Sequence, residues 1–268
     1  MPRALASEEQ GPAFPGVRVV DRPAIEVRGV SKSFVVPHEQ SARLKEYFVR
    51  PFRKRTYDRN QALDDISLSI PRGEFFGIIG RNGSGKSTLL RVLAGIYRAD
   101  SGTVELDGIV SPFIELGVGF NFELSARDNI EINGTLVGLT RRQIAERFDG
   151  ILAFAELERF VDQQLKNYSS GMLMRLAYSV AVQVTFDILL IDEVLAVGDV
   201  NFQMKCLETF RQMREERKTV VFVSHDLGVV REFCDRVMLI DGGRTQAIGK
   251  PDEIVDLYEG HERAVAGV

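Results

Sequence analysis

The chain has 268 residues, of which 44% are hydrophobic and 27% charged, the balance of an ordinary folded protein with material for one large core or two lobes. Its formal charge of −4 argues against a general nucleic-acid binder, and no apolar run reaches the roughly 18 residues needed to cross a bilayer. Cys206 and Cys234 fit neither a metal-ligand spacing nor a disulfide framework, so both are expected as reduced, packed thiols.

Residues 1–23 are proline-rich, without the apolar segment of a secretion signal, and read as a flexible leader on a chain that stays in the cytoplasm. Ile25, Val27 and Val30 suggest a first strand, and Leu63, Ile66, Leu68 and Ile70 a second, ending at the turn Pro71-Arg72-Gly73. Between them, residues 38–60 hold seven basic residues against three acidic ones, opposing the sign of the whole chain. Leu44, Tyr47 and Phe48 give this insertion a short apolar stripe at helical spacing, ended by Pro51, with Phe52 following it. An aromatic stripe on a basic helix suits a membrane interface or a partner, the bland alternative being a solvated basic loop packed back on the domain.

The apolar run from Phe75 to Ile79 leads into Gly80-Arg81-Asn82-Gly83-Ser84-Gly85-Lys86-Ser87-Thr88, which matches the phosphate-loop pattern G-x-x-x-x-G-K-[ST] at every fixed position. An amphipathic stretch follows, so the context is strand, loop, helix. The three glycines let the backbone curl round a phosphate with its N–H groups inward, at the positive end of the helix dipole. Lys86 supplies a point charge for the β- and γ-phosphates, and the Ser87 hydroxyl can ligate Mg²⁺.

Beyond the loop, residues 103–114 alternate like sheet, with Asp107-Gly108 as a hairpin turn. Residues 125–182 read as a separate helical lobe, within which Thr140 and Gln143 form a capping box and Leu139 with Ile144 a hydrophobic staple. The runs Ile188 to Ile191 and Thr219 to Val223 read as buried parallel strands, delivering Asp192-Glu193 and Ser224-His225-Asp226 at their carboxyl ends. A hairpin about Gly242-Gly243 and a last helix starting at Pro251 complete the chain.

One further stretch, Tyr168-Ser169-Ser170-Gly171-Met172, opens a helix shortly before Asp192. With the phosphate loop, the Asp-Glu pair and Ser-His-Asp in that order, the chain resembles the ATP-binding cassette (ABC) ATPases over nearly its whole folded length. The resemblance implies an α/β fold: a P-loop NTPase, ABC nucleotide-binding domain over residues 24–260, with a mixed-sheet RecA-like core, an antiparallel β subdomain, an α-helical signature subdomain and a tail at 261–268. It implies ATP and Mg²⁺ as ligands. Asp192 would hold Mg²⁺ and Glu193 polarise the attacking water, with His225 hydrogen-bonded to the γ-phosphate. Ser169, Ser170, Gly171 and Met172 would face the nucleotide of a second copy, with Asp199 in the loop joining the two sites. Phe34 resembles the residue that stacks on adenine, with Tyr57 as competitor, and Asn121 stands where the family usually has a glutamine that senses Mg²⁺ and the transporter.

Three stretches, around Glu115 to Asn121, Tyr168 to Met174 and Ile191 to Asp199, look like the polysaccharide and polyol-phosphate exporter branch. That branch implies a homodimer on the cytoplasmic face of the membrane, two copies of a multi-span membrane subunit, and a lipid-linked glycan (O-antigen, teichoic acid or galactan precursor) as cargo. Its members carry an amphipathic gate helix where residues 38–60 lie. Some add a C-terminal carbohydrate-binding domain, for which little chain remains after the last helix. An ATPase of another importer or exporter is the second reading. A third, action on ribosomes or DNA, is disfavoured by the single set of motifs, so no nucleic-acid partner is expected.

Overall fold

The computed structural model describes residues 22–37, 57–113, 119–136, 138–183, 185–192 and 199–266. In chain order the strands β1 (Ile25–Pro37), β2 (Tyr57–Ile70) and β3 (Phe75–Ile79) precede helix α1 (Lys86–Leu93) and strands β4 (Ser101–Leu106) and β5 (Val110–Phe113). Helices α2 (Ala126–Leu136), α3 (Arg141–Ala155) and α4 (Ser170–Val182) follow, then β6 (Ile188–Asp192), α5 (Val200–Glu215) and β7 (Thr219–Val223). Helix α6 (Leu227–Phe233), strands β8 (Arg236–Asp241) and β9 (Arg244–Gly249), and helix α7 (Pro251–Ala266) end the described chain.

The short apolar runs become the centre of a six-stranded sheet ordered β5-β6-β7-β3-β8-β9, in which only β9 runs antiparallel to its neighbour. Strands buried on both faces need cover on both, and side-chain alternation divides the cover cleanly. Phe75, Leu189, Ile191, Val220, Phe222, Val237 and Leu239 pack on one face against Tyr178 of α4, Phe202 and Phe210 of α5, Phe233 of α6 and Val255 of α7. Phe76, Ile78, Ile188, Leu190, Val221, Val223, Met238 and Ile240 pack on the other, against Leu89 and Leu93 of α1 and the inner residues of β1 and β2. A third cluster, including Ile130, Ile144, Ile151, Leu165 and Leu176, forms the core of the helical region. Cys206 and Cys234 are free and buried, as expected of packed thiols.

Strands β2, β1 and β4 form a separate antiparallel sheet. This overturns the hairpin expected at Asp107-Gly108: β4 pairs with β1, whereas β5 joins β6 in the other sheet. Gly108, at φ 140, lets the chain cross between sheets. The Asp187 carboxylate accepts the Ile109 N–H at 2.8 Å and steers β5 towards β6. The insertion also ends sooner than its composition suggested, because Tyr57 to Asn60 already belong to β2 and pair with Phe34 to Pro37. Its apolar stripe, Leu44, Tyr47, Phe48 and Phe52, lies outside the described residues, as does the leader up to residue 21. At the other end, α7 continues to Ala266 through the residues expected as a tail.

Candidate functional site

Parallel strands all present their carboxyl ends at one edge, and loops at that edge form the ligand crevice of such sheets. Asp192 pairs in register with Val223, which pairs in turn with Ile78, so β6, β7 and β3 finish level with one another. The phosphate loop, Asp192 and the Ser224-His225-Asp226 turn therefore leave the sheet at the same edge.

The loop's shape follows from its glycines. Gly80, at φ 149, lies so close to β8 that an added Cβ would come within 2.1 Å of the Ile240 carbonyl oxygen. Gly85, at φ 113, is the N-cap of α1, and an added Cβ there would meet the Ala62 carbonyl oxygen at 2.5 Å. No side chain caps α1 at this residue, so the N–H groups of its first turn remain available to an anion. Lys86 arches back over the loop, its Nζ donating to the carbonyl oxygens of Gly80 at 2.7 Å and Arg81 at 2.8 Å. The Gly243 N–H holds the Ser84 carbonyl at 2.9 Å, while the buried Ser84 hydroxyl has no hydrogen-bond partner among the described residues. Arg81, Asn82 and Gly83 are exposed, and Ser87 and Thr88 are half-buried in the first turn of α1. A backbone cradle under a helix tip, with a lysine above it and a hydroxyl at its foot, fits a polyphosphate carrying a divalent cation.

Across the edge, Asp226 caps α6 by accepting from the N–H groups of Gly228 and Val229. The Asp226 N–H is held by the Ser224 hydroxyl at 3.0 Å, which leaves His225 exposed at the turn. Glu193 lies outside the described residues. Phe34 is half-buried and meets Tyr97 edge to face at 5.3 Å, with the Lys32 Nζ 5.6 Å from its ring centroid. Asp100 anchors that lysine at 2.9 Å, and hydrogen bonds from Lys32 and Ser33 hold its carboxyl far below the usual carboxylate range. Tyr57 stands on β2 opposite Pro37, in register beyond the Phe34 pair.

Asn121 is exposed, and its side-chain oxygen accepts the Glu123 N–H at 3.0 Å. Its backbone is gripped by Asn129, fully buried on α2, which accepts from the Asn121 N–H at 2.8 Å and donates to the Asn121 carbonyl at 3.0 Å. Sequence reasoning missed Asn129; an amide in the first turn of a helix, behind a loop needing backbone partners, was the available signal.

Ser169 caps α4, its hydroxyl accepting the Met172 N–H at 3.2 Å. Ser170 is exposed, Met172 packs on the helical core, and beside Gly171 nothing but the Ser169 hydroxyl comes within 4 Å of an added Cβ. Asp199 caps α5 by accepting the Phe202 N–H at 3.0 Å and also pairs with Arg175 of α4. The Phe202 N–H chiefly, helped by Arg175, keeps the Asp199 carboxyl below its ordinary range. Arg175 and its second partner, Glu156, were likewise missed by sequence reasoning.

An ABC transporter profile matches residues 63–196. The chain is 49% identical over 197 residues to the O-antigen export system ATP-binding protein RfbB of Myxococcus xanthus, covering 74% of this chain but 45% of that protein. The chain thus spans under half the length of this relative. Against the protein of the same name from Klebsiella pneumoniae it is 41% identical over 242 residues, covering 88% of this chain and 98% of the relative. In fold it resembles a dimeric ATP-binding cassette in a post-hydrolysis state with ADP and Pi, at a TM-score of 0.68 and 23% identity, over 85% of this chain and 98% of that one. A profile that spans both the phosphate loop and the acidic strand end, together with near full-length relatedness to a cassette protein, means that this chain belongs to the ABC transporter family, as one of its ATP-hydrolysing cassettes.

Proposed function

We propose that the chain is the ATPase subunit of an exporter for a lipid-linked polysaccharide, acting as a homodimer on the cytoplasmic face of the membrane beneath a multi-span subunit present in two copies. The observation that carries this reading is near full-length relatedness to an O-antigen export ATP-binding protein in a chain whose phosphate loop, Asp192 and Ser224-His225-Asp226 turn leave one sheet edge. Among the described residues no helix is long and apolar enough to span a bilayer, which suits a subunit that reaches the membrane through a partner.

In this reading Lys86 leaves the Gly80 and Arg81 carbonyls for the β- and γ-phosphate oxygens, and the N–H groups of residues 81–88 close round them. Ser87 and Asp192 would hold Mg²⁺, a role in which Asn121 would share. The ion, when bound, neutralises negative charge on the two terminal phosphates. Glu193 accepts a proton from the attacking water at its carboxylate, and His225 links that carboxylate to the γ-phosphate. Phe34 supports the adenine. Ser169 and Gly171 of one copy offer the helix tip of α4 to the nucleotide of the other, which is why space beside Gly171 matters. The apolar stripe of the basic insertion, Leu44, Tyr47, Phe48 and Phe52, meets the lipid surface or the membrane subunit.

Glu193→Gln should stop turnover and leave ATP-bound pairs that size-exclusion chromatography with labelled nucleotide detects. Turnover retained in that variant removes the assignment of the water-polarising carboxylate. Export is tested separately: in cells depleted of the protein, lipid-linked glycan should accumulate on the cytoplasmic side, and an unchanged surface glycan removes this cargo.

A further inference from the structure

Helix α3 ends at Glu156, whose backbone sits in the left-handed region at φ 59, ψ 41. Glycine takes that conformation readily and glutamate does not. The conformation closes the helix through the Leu157 N–H on the Leu152 carbonyl at 3.1 Å, and the Glu156 carboxylate accepts from Arg175 Nη1 at 3.0 Å and from Lys205 Nζ, so helices α3, α4 and α5 meet at one carboxylate. The other arm of the Arg175 fork, Nη2, donates to Asp199 at the start of α5. The Arg175 side chain is only 17% exposed, and its guanidinium lies 5.2 Å from the centroid of the Phe202 ring. Beneath it Phe154, Tyr178 and Phe202 join the same three helices through ring contacts at 5.8–6.0 Å. A flat fork that serves two carboxylates at once fixes angle as well as distance, which a single-headed ammonium cannot do.

We propose that Arg175, braced by Glu156, is a positioning residue that sets Asp199 relative to the Ser169 helix tip, so that the two surfaces one copy offers to its partner's nucleotide move as one body. This rests on the head-to-tail reading given above. Ion pairs this near the surface add little to stability, whereas a misplacement of about 1 Å at reacting groups can cost about a hundredfold in rate. Placement of Asp199 is therefore the effect that outweighs the backbone strain at Glu156.

The test uses the full chain, with steady-state ATP hydrolysis, binding of a fluorescent ATP analogue and thermal melting. Glu156→Gly relaxes the left-handed backbone while removing the carboxylate, and Arg175→Lys keeps the charge while losing the fork. For each, kcat should fall about tenfold with KM and analogue affinity unmoved, and Glu156→Gly should melt no lower than the parent. An unchanged kcat in Glu156→Gly overturns the proposal, as does a fall in kcat that tracks a loss of analogue affinity. Ser169→Arg tests the underlying reading alone: if it keeps both turnover and ATP-dependent pairing, the head-to-tail arrangement fails, whatever the two brace variants do.

Discussion

At Gly80 an added methyl group would sit 2.1 Å from a backbone carbonyl oxygen of Ile240, which no side-chain adjustment can relieve. Gly80→Ala should therefore cost more than about 2 kcal/mol of folding stability and abolish binding of an ATP analogue, as read by denaturation and by fluorescence titration. A fully stable variant that still binds would show that the loop does not lie against β8. By contrast nothing stands within 4 Å of a Cβ at Gly83, where only φ 78 speaks against a side chain, so Gly83→Asn should be milder. The spacing of the three glycines was readable without coordinates because a phosphate loop is a local device. Arg175 and Glu156 were not, since they matter through partners 19 or more residues away along the chain and through a backbone conformation that the sequence does not encode locally.

The elements held to their local signals wherever those signals were complete within one stretch. Thr140 and Gln143 form the reciprocal capping box read from their spacing, Gln143 N–H to the Thr140 hydroxyl at 3.3 Å and Thr140 N–H to the Gln143 side chain at 2.9 Å. Thr140→Ala should lower stability by about 1 kcal/mol in urea denaturation. No change would mean that water replaces the cap without loss. The strands β4 and β5 misled because an Asp-Gly pair between alternating segments favours a sharp turn without naming the strand that follows. Their separation is set by the Asp187 carboxylate on the Ile109 N–H and by the pairing of β5 with β6, both contacts 78 residues away in sequence.

Across the whole molecule, burial leaves its mark on groups that face no charge partner of opposite sign. Burial pushes the Cys206 thiol from 9.0 up to about 12, and the Tyr168 hydroxyl from 10.0 up to about 12. In the unfolded chain both would ionise first, so each contributes stability below its ordinary pKa and loses it as pH rises through the folded value. The urea midpoint should hold level up to pH 9 and decline from there towards pH 12, and Cys206→Ala should make the decline shallower without moving its onset, because burial also pushes up the Cys234 thiol. A midpoint that rises over this range, or an identical profile in the variant, would contradict the burial of the thiol. At this scale the sequence by itself determined the strand-loop-helix of the phosphate site, the buried parallel strands and the helical lobe, because each is written in residues adjacent along the chain. Only the tertiary structure decided which sheet β5 enters, that Asp192, Val223 and Ile78 end level with one another, and that Arg175 spans two helices to reach Asp199. Those are outcomes of long-range packing and of charge pairing across helices, where the chain's order no longer tells which residues are neighbours.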